Sequence, residues 1–175
     1  MAEPPELDIE RILSVFAANG VDFLLIGGVA TRLYGAQRLT YDLDVVASRD
    51  VDNLDRAAHA LRELGAFLRV GGIDDETART LPVIVDGRAL AAMEISTWRT
   101  DAGDIDLLAF LRNDAGDRVG FDELARRSSE TRVGSVAVRV AGLEDIISSK
   151  RFADRDKDRD ALPELEALRD ADEGP

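Results

Sequence analysis

The chain has no cysteine among its 175 residues, which excludes a disulfide framework and thiol chemistry and fits a reducing compartment. It has one histidine, His59, placed mid-helix and read as a surface residue. Aromatic residues make up 5% of it, and Trp98 and Tyr34 read as packing residues rather than a base-stacking platform. Positive charge is scarce: 22 Lys and Arg stand against 35 Asp and Glu, a net charge of -13. That balance argues against a sequence-independent grip on nucleic acid, which rests on neutralising phosphates. No apolar run approaches the length of a membrane span, and the N-terminus MAEPPELDIE is acidic rather than signal-like. The expectation is a soluble, cytoplasmic protein.

Hydrophobic residues account for 45% of the chain, an ordinary globular fraction. Its length suits one domain, expected over residues 1–170, with a frayed tail at 171–175. Apolar spacing predicts a helix over Leu7 to Ala18, stopped at Asn19-Gly20, then a buried strand over Asp22 to Ile26. A short helix follows over Val29 to Tyr34, then a strand over Tyr41 to Ala47 and a helix over Asp52 to Leu64. Further on, Phe67 to Val70, Leu81 to Val85, Met93 to Trp98 and Ile105 to Phe110 read as extended, with Asp86-Gly87 a hairpin signal. Phe121 to Arg127 reads as a short helix, Val133-Gly134-Ser135-Val136 as a tight turn and Gly142 to Phe152 as a helix. A last helix is expected over Leu162 to Leu168, with Pro163 in its first turn.

Within this pattern the run LLIGGVATRLYGAQRLTYDLDVV carries a chemistry. An apolar strand ends in Gly27-Gly28, and the next strand bears Asp42 and Asp44 at i and i+2. Strand side chains alternate, so both carboxylates point to one side, roughly 6.6 Å apart along the chain. Like charges facing one way on an apolar strand need a cation, and a divalent metal answers that need. Paired acids also occur on solvated strands, and a glycine pair can be a bare strand-to-helix turn. The functional reading of the glycines is close backbone approach to a phosphate. No Lys or hydroxyl follows at the P-loop spacing, which excludes that motif.

Asp104 and Asp106 repeat the i, i+2 pattern in the later run DIDLL. With Asp106 beside Asp42 and Asp44, three carboxylates can hold two Mg²⁺ ions roughly 3.5–4 Å apart, the geometry of in-line phosphoryl or nucleotidyl displacement. Asp106 is also a candidate acceptor for the proton of an attacking hydroxyl. Asp104 reads as the residue capping the turn at Gly103, although the choice between the two acids stays open. The alternating charges of SSKRFADRDKDRDALPEL suit a solvated helix face. They also offer Lys150, Arg155 and Lys157 to a triphosphate, with Asp158 orienting a cation or touching substrate. Arg38 and Thr40 are further candidates near the phosphates.

These residues resemble the signature of the polymerase β-like nucleotidyltransferase superfamily, in particular the minimal AbiEii- and MenT-type toxin group. The pattern G-G-x-A-x-x-x-x-G-x-x-R-x-T-x-D-x-D is met by Gly27, Gly28, Ala30, Gly35, Arg38, Thr40, Asp42 and Asp44. DIDLL is similar to the strand with the third carboxylate, Asp106, and the C-terminal run to the family's lysine helix, with Lys150, Arg155, Lys157 and Asp158. The resemblance implies an α/β (α+β) fold, a mixed sheet flanked by helices. It also implies Mg²⁺-dependent transfer of a nucleoside monophosphate from an NTP, with the 3′ end of tRNA or another RNA as acceptor and a cognate antitoxin protein as partner. The superfamily's second glycine position is often serine, so Gly28 removes a phosphate contact. Alternatives are transfer to a protein, as by AMPylating antitoxins, transfer to a small molecule such as an aminoglycoside, and a catalytically inert nucleotide-binding domain.

Overall fold

The computed structural model describes residues 5–172. Asp8 opens the first helix, α1 (Ile9–Ala18), by accepting the N–H of Arg11 at 3.0 Å. Ile12, Leu13 and Phe16 form its fully buried stripe, and the Phe16 ring meets Phe23 edge-on at 5.4 Å. Gly20, at φ 66, turns the chain into β1 (Phe23–Ile26), whose four residues are all buried. There follow α2 (Gly27–Leu33), β2 (Asp42–Ala47), and α3 (Val51–Glu63), which Asp50 caps by accepting two backbone N–H groups.

The middle of the chain departs from expectation. After β3 (Phe67–Leu68) come two short helices, α4 (Asp75–Thr80) and α5 (Gly87–Ala92). Leu81 to Val85 forms no strand, and Pro82, without an N–H, could not complete a ladder there. Asp86-Gly87 makes no hairpin: Asp86 Oδ1 accepts the N–H of Ala89 at 2.8 Å and caps α5. The next two strands have ends two residues from where they were expected, as β4 (Ile95–Thr100) and the acid-bearing β5 (Gly103–Leu108). Gly103, at φ 111, closes their turn. Where a strand ends does not change which of its side chains share a face, so the carboxylates still point as anticipated.

The chain continues through a separate hairpin, β6 (Phe110–Arg112) and β7 (Arg118–Gly120), then α6 (Phe121–Arg126), β8 (Ser129–Val133) and β9 (Val136–Val140). Gly134, at φ 55, opens the two-residue loop between β8 and β9, as the sequence predicts. Two helices end the chain, α7 (Leu143–Ala153) and α8 (Asp156–Asp172). Helix α8 begins six residues before the expected Leu162, so Pro163 lies inside it. The hydrogen bond Pro163 forfeits is the one to Arg159, on the exposed side, while Asp158, Ala161 and Leu165 face inward. The helix takes in residues 171 and 172 of the expected tail, and 173–175 lie outside the described residues.

Seven strands form one mixed sheet in the order β3-β4-β5-β2-β1-β9-β8. β2 runs antiparallel to β1 and parallel to β5, and β1 runs parallel to β9. Helices flank this sheet, as expected. The core includes Leu24, Leu25, Leu43, Val45, Leu61 and Ile105, all fully buried. A smaller core of Ala36, Ile147, Ala161 and Leu165 seats α8 against α7 and the loop before β2. Burying Leu165 contributes about 2 kcal/mol, more than a typical surface ion pair. Apolar contact is therefore one substantial tie of this helix. Trp98 is fully buried, with Nε1 donating to Ser96 Oγ at 2.8 Å, and the Tyr34 hydroxyl donates to the Ala141 carbonyl at 2.9 Å. Both are packing residues, and His59 is exposed. Among the described residues no helix is long and apolar enough to cross a membrane.

Candidate active site

Strand register assembles the site. Asp44 on β2 lies opposite Ile26 on one side and Asp106 on the other, while Asp42 lies opposite Asp104. All four carboxylates thus share one face of the sheet. Asp42, Asp44 and Asp106 each offer an oxygen within 4.8 Å of the others, close enough to hold a metal ion together.

Asp104 does not join them, because its carboxylate is already engaged. Its Oδ1 accepts Arg99 Nε at 2.7 Å, and its Oδ2 accepts Arg99 Nη2 at 2.8 Å and Arg69 Nη1 at 3.0 Å. Arg99 also pairs with Asp75 on α4. Asp104 is therefore not the cap of the Gly103 turn. Thr100 fills that role, accepting the Ala102 N–H at 3.0 Å and donating to the Gly103 carbonyl at 2.7 Å. The hydrogen bonds it donates to Asp104 hold the Arg99 guanidinium above its usual range, outweighing burial. Arg99→Gln is expected to cost about 2 kcal/mol in chemical denaturation, since it strips two charge-assisted bonds from Asp104 and leaves it only Arg69.

The electrostatics of the triad disfavour three bare charges. Burial pushes the Asp44 carboxyl from 3.8 up to about 7, aided by the charges of Asp42 and Asp106. The Gly28 N–H and the Lys157 ammonium offset only part of that. Burial also raises Asp106, against a hydrogen bond with Thr97 and with added repulsion from Asp42 and Asp104. Its Oδ1 is buried without a hydrogen-bond partner. A carboxylate oxygen left bare in such a place is a free ligand position.

Gly27 explains the strand-to-helix turn. It sits at φ 63, and a Cβ there would lie 1.9 Å from Asp44 Oδ2. Only glycine fits, for conformation and for space. The opposite wall comes from α7 and α8. Asp158, fully buried, accepts Lys150 Nζ at 3.0 Å and Arg155 Nε at 2.6 Å. Burial alone would raise its carboxyl, but those two bonds hold it below the usual range. Of the two roles the sequence left open for Asp158, the bonds observed are those of a residue orienting cations.

All eleven residues singled out from the sequence line one cavity of about 430 Å³: the three aspartates, Gly27, Gly28, Arg38, Thr40, Lys150, Arg155, Lys157 and Asp158. The chain's only two lysines are among them. Arg38 donates Nη1 to the Asp160 carbonyl at 2.6 Å, tying the loop before β2 to α8. The sequence reading missed Ile146, Ser149 and Ala153, which also line the cavity. Their spacing of three, four and seven residues on α7, shared with Lys150, is the signal that could have found them. It also missed Leu108 and Leu111, which line the same cavity.

A scan against protein-family models finds no match, and neither does a search of curated proteins. Solved structures do match. The lincosamide antibiotic adenylyltransferase LnuA, with lincomycin bound, has a TM-score of 0.60 at 17% identity, covering 93% of this chain and 99% of that one. The solution structure of the antibiotic-resistance factor ANT(2'')-Ia has a TM-score of 0.57 at 16% identity, over 94% of this chain and 83% of that one. The same enzyme in complex with adenylyl-2''-tobramycin gives 0.53 at 16% identity, over 92% of each chain. The mixed sheet flanked by helices that the sequence led us to expect is thus the nucleotidyltransferase fold.

Proposed function

We propose that the chain is a nucleotidyltransferase that moves a nucleoside monophosphate from an NTP to an acceptor hydroxyl. The observation that carries this reading is the convergence of Asp42, Asp44 and Asp106 on one sheet face, with Asp44 pushed up to about 7 and an Asp106 oxygen left bare. An all-carboxylate donor set of this kind suits Mg²⁺. Bound there, the ions would stabilise the attacking and leaving oxygens of an in-line displacement.

The chain's own residues supply the rest. The acceptor oxygen attacks the α-phosphorus, an O–P bond forms, and the bond to pyrophosphate breaks. Asp106 would take the hydroxyl proton. Lys150 and Arg155, held in place by Asp158, face the triphosphate together with Lys157, and Arg38 stands at the loop opposite. The glycine turn lets the phosphates approach the backbone.

The acceptor proposed from the sequence motif is the 3′ end of tRNA, with the chain as the toxin of a toxin–antitoxin pair and a cognate antitoxin as its partner. A small hydroxylated molecule is the second reading. It is supported by the likeness to enzymes described with lincomycin and adenylyl-2''-tobramycin, matched over 99% and 92% of their length. Incubation with each labelled NTP, Mg²⁺ and either tRNA, lysate protein or a panel of aminoglycosides and lincosamides separates them. Label in RNA supports the first reading, and label in a small molecule the second. Absence of transfer to any acceptor, with Asp42→Ala behaving as wild type in cells, overturns both.

A further inference from the structure

Gly28 leaves room for a contact that joins the glycine turn to the acid strand. A Cβ built on it would lie 2.5 Å from Thr40 Oγ1 and 2.7 Å from Thr40 Cβ, closer than real side chains approach. The space beside the turn belongs to Thr40, which arrives from the loop before β2. From there Oγ1 stands 3.1 Å from Asp42 Oδ1 and 3.2 Å from the Asp42 carbonyl. Both partners only accept, so the hydroxyl is the donor. The loop is itself fixed to α8, through Gln37 N donating to Glu164 Oε1 at 2.8 Å and Arg38 donating to the Asp160 carbonyl. Thr40 is therefore set in place before any ligand arrives. The adjacent glycines do parallel work: Gly27 makes room for Asp44, and Gly28 makes room for the residue that holds Asp42.

We infer that Thr40 is the positioning residue of Asp42, and that position 28 lacks a side chain so that Thr40 can reach it. The inference rests on reading the three aspartates as a metal site. It adds to Thr40 a role toward the carboxylate, beside the phosphate contact suggested by the sequence. A freely rotating Asp42 carboxylate presents its oxygens toward the cation only part of the time, whereas one held by a hydroxyl presents a fixed oxygen. The second arrangement binds metal more tightly.

The test is Mn²⁺ binding to the nucleotide-free protein, followed by calorimetry and by electron paramagnetic resonance. Thr40→Val keeps the shape and removes the donor. It is expected to weaken Mn²⁺ affinity about tenfold with the melting temperature little changed, and Thr40→Ser is expected to restore it. A swap pair gives an independent readout that a general loss of packing would not reproduce. Gly28→Ser alone forces a clash with Thr40 and weakens binding, and Thr40→Gly alone removes the hydroxyl. The double variant returns a hydroxyl to the vacated space, so it is expected to bind Mn²⁺ more tightly than Gly28→Ser alone. Wild-type affinity in Thr40→Val, or a double variant no better than Gly28→Ser, overturns the inference while leaving the metal reading intact. A wild-type protein that binds no Mn²⁺ overturns both.

Discussion

Asp44→Asn is expected to lose nucleotidyl transfer by at least about 10³-fold while making the metal-free protein more stable. On the proposed reading the loss follows from removing the central carboxylate of the three that would hold metal, because stabilising the charge of the displacement through bound metal contributes several kcal/mol. The gain follows from the electrostatics. Asp44 is pushed up to about 7 by burial and by the charges of Asp42 and Asp106, with only the Gly28 N–H and Lys157 opposing. Its unfolded value is near 3.8. Between those two values the folded chain holds a proton that the unfolded chain has released, so stability falls as pH rises from about 4 to about 7 and then levels off. A shift of that size corresponds to something on the order of 4 kcal/mol lost across the window. Asp106, also raised by burial, acts in the same direction.

Replacing Asp44 by an uncharged amide removes much of this penalty at pH 8. A gain of about 2 kcal/mol, or about 6 °C in melting temperature for a chain of this length, is the expected result. The wild type should recover stability on titration with Mg²⁺, more at pH 8 than at pH 5, and the variant should not. Thermal melts of both proteins at the two pH values, with and without Mg²⁺, check every part. A variant less stable than wild type at pH 8 without metal, or one that keeps its transfer activity, would contradict the account.

The parts of this site that were legible in the sequence are those set by local rules. Strand alternation places Asp42 and Asp44 on one side whatever the fold, and a glycine pair between strand and helix marks a turn. The two-residue difference in the ends of β4 and β5 did no harm to the reading, because alternation within a strand does not depend on where it ends. What the sequence hid is decided by partners distant along the chain. Asp104 and Asp106 are equivalent by alternation, and only Arg69 and Arg99, brought in by β3 and β4, remove Asp104 from the metal-facing group. Gly28 reads as a missing phosphate contact until Thr40 is seen filling the space beside it. Asp86-Gly87 misled because the same dipeptide opens helices and closes hairpins. Only a partner strand tells the two apart, and Val83 and Ile84, exposed, have none. The start of α8 was masked by the charges of Asp156 to Asp160, which read as a solvated stretch although Asp158 in their midst is buried.

That burial makes Asp158→Ala the second large effect. The carboxylate is fully enclosed and holds Lys150, itself 19% exposed, together with Arg155, which is 62% exposed. Truncation leaves the Lys150 ammonium half-desolvated without its counter-charge and empties a volume between α7 and α8. The Arg155 bond adds little, since that guanidinium is mostly in water. The expected cost is about 3 kcal/mol, set chiefly by the orphaned lysine, at the lower end for breaking a buried pair. Function should fail in a way distinct from Asp44→Asn. The three clustered aspartates sit on β2 and β5, and α8 reaches them only through Lys157 and the loop before β2, so Mn²⁺ affinity should fall less than NTP affinity. NTP affinity should fall at least about tenfold, because Lys150 and Arg155 no longer point together into the cavity. The double variant Lys150→Met/Asp158→Leu discriminates further. Replacing both charges with apolar groups of similar size should return most of the lost stability, as for other buried pairs, while leaving NTP binding impaired. Recovery of stability and binding together would mean that Asp158 only packs the two helices and does not aim their cations.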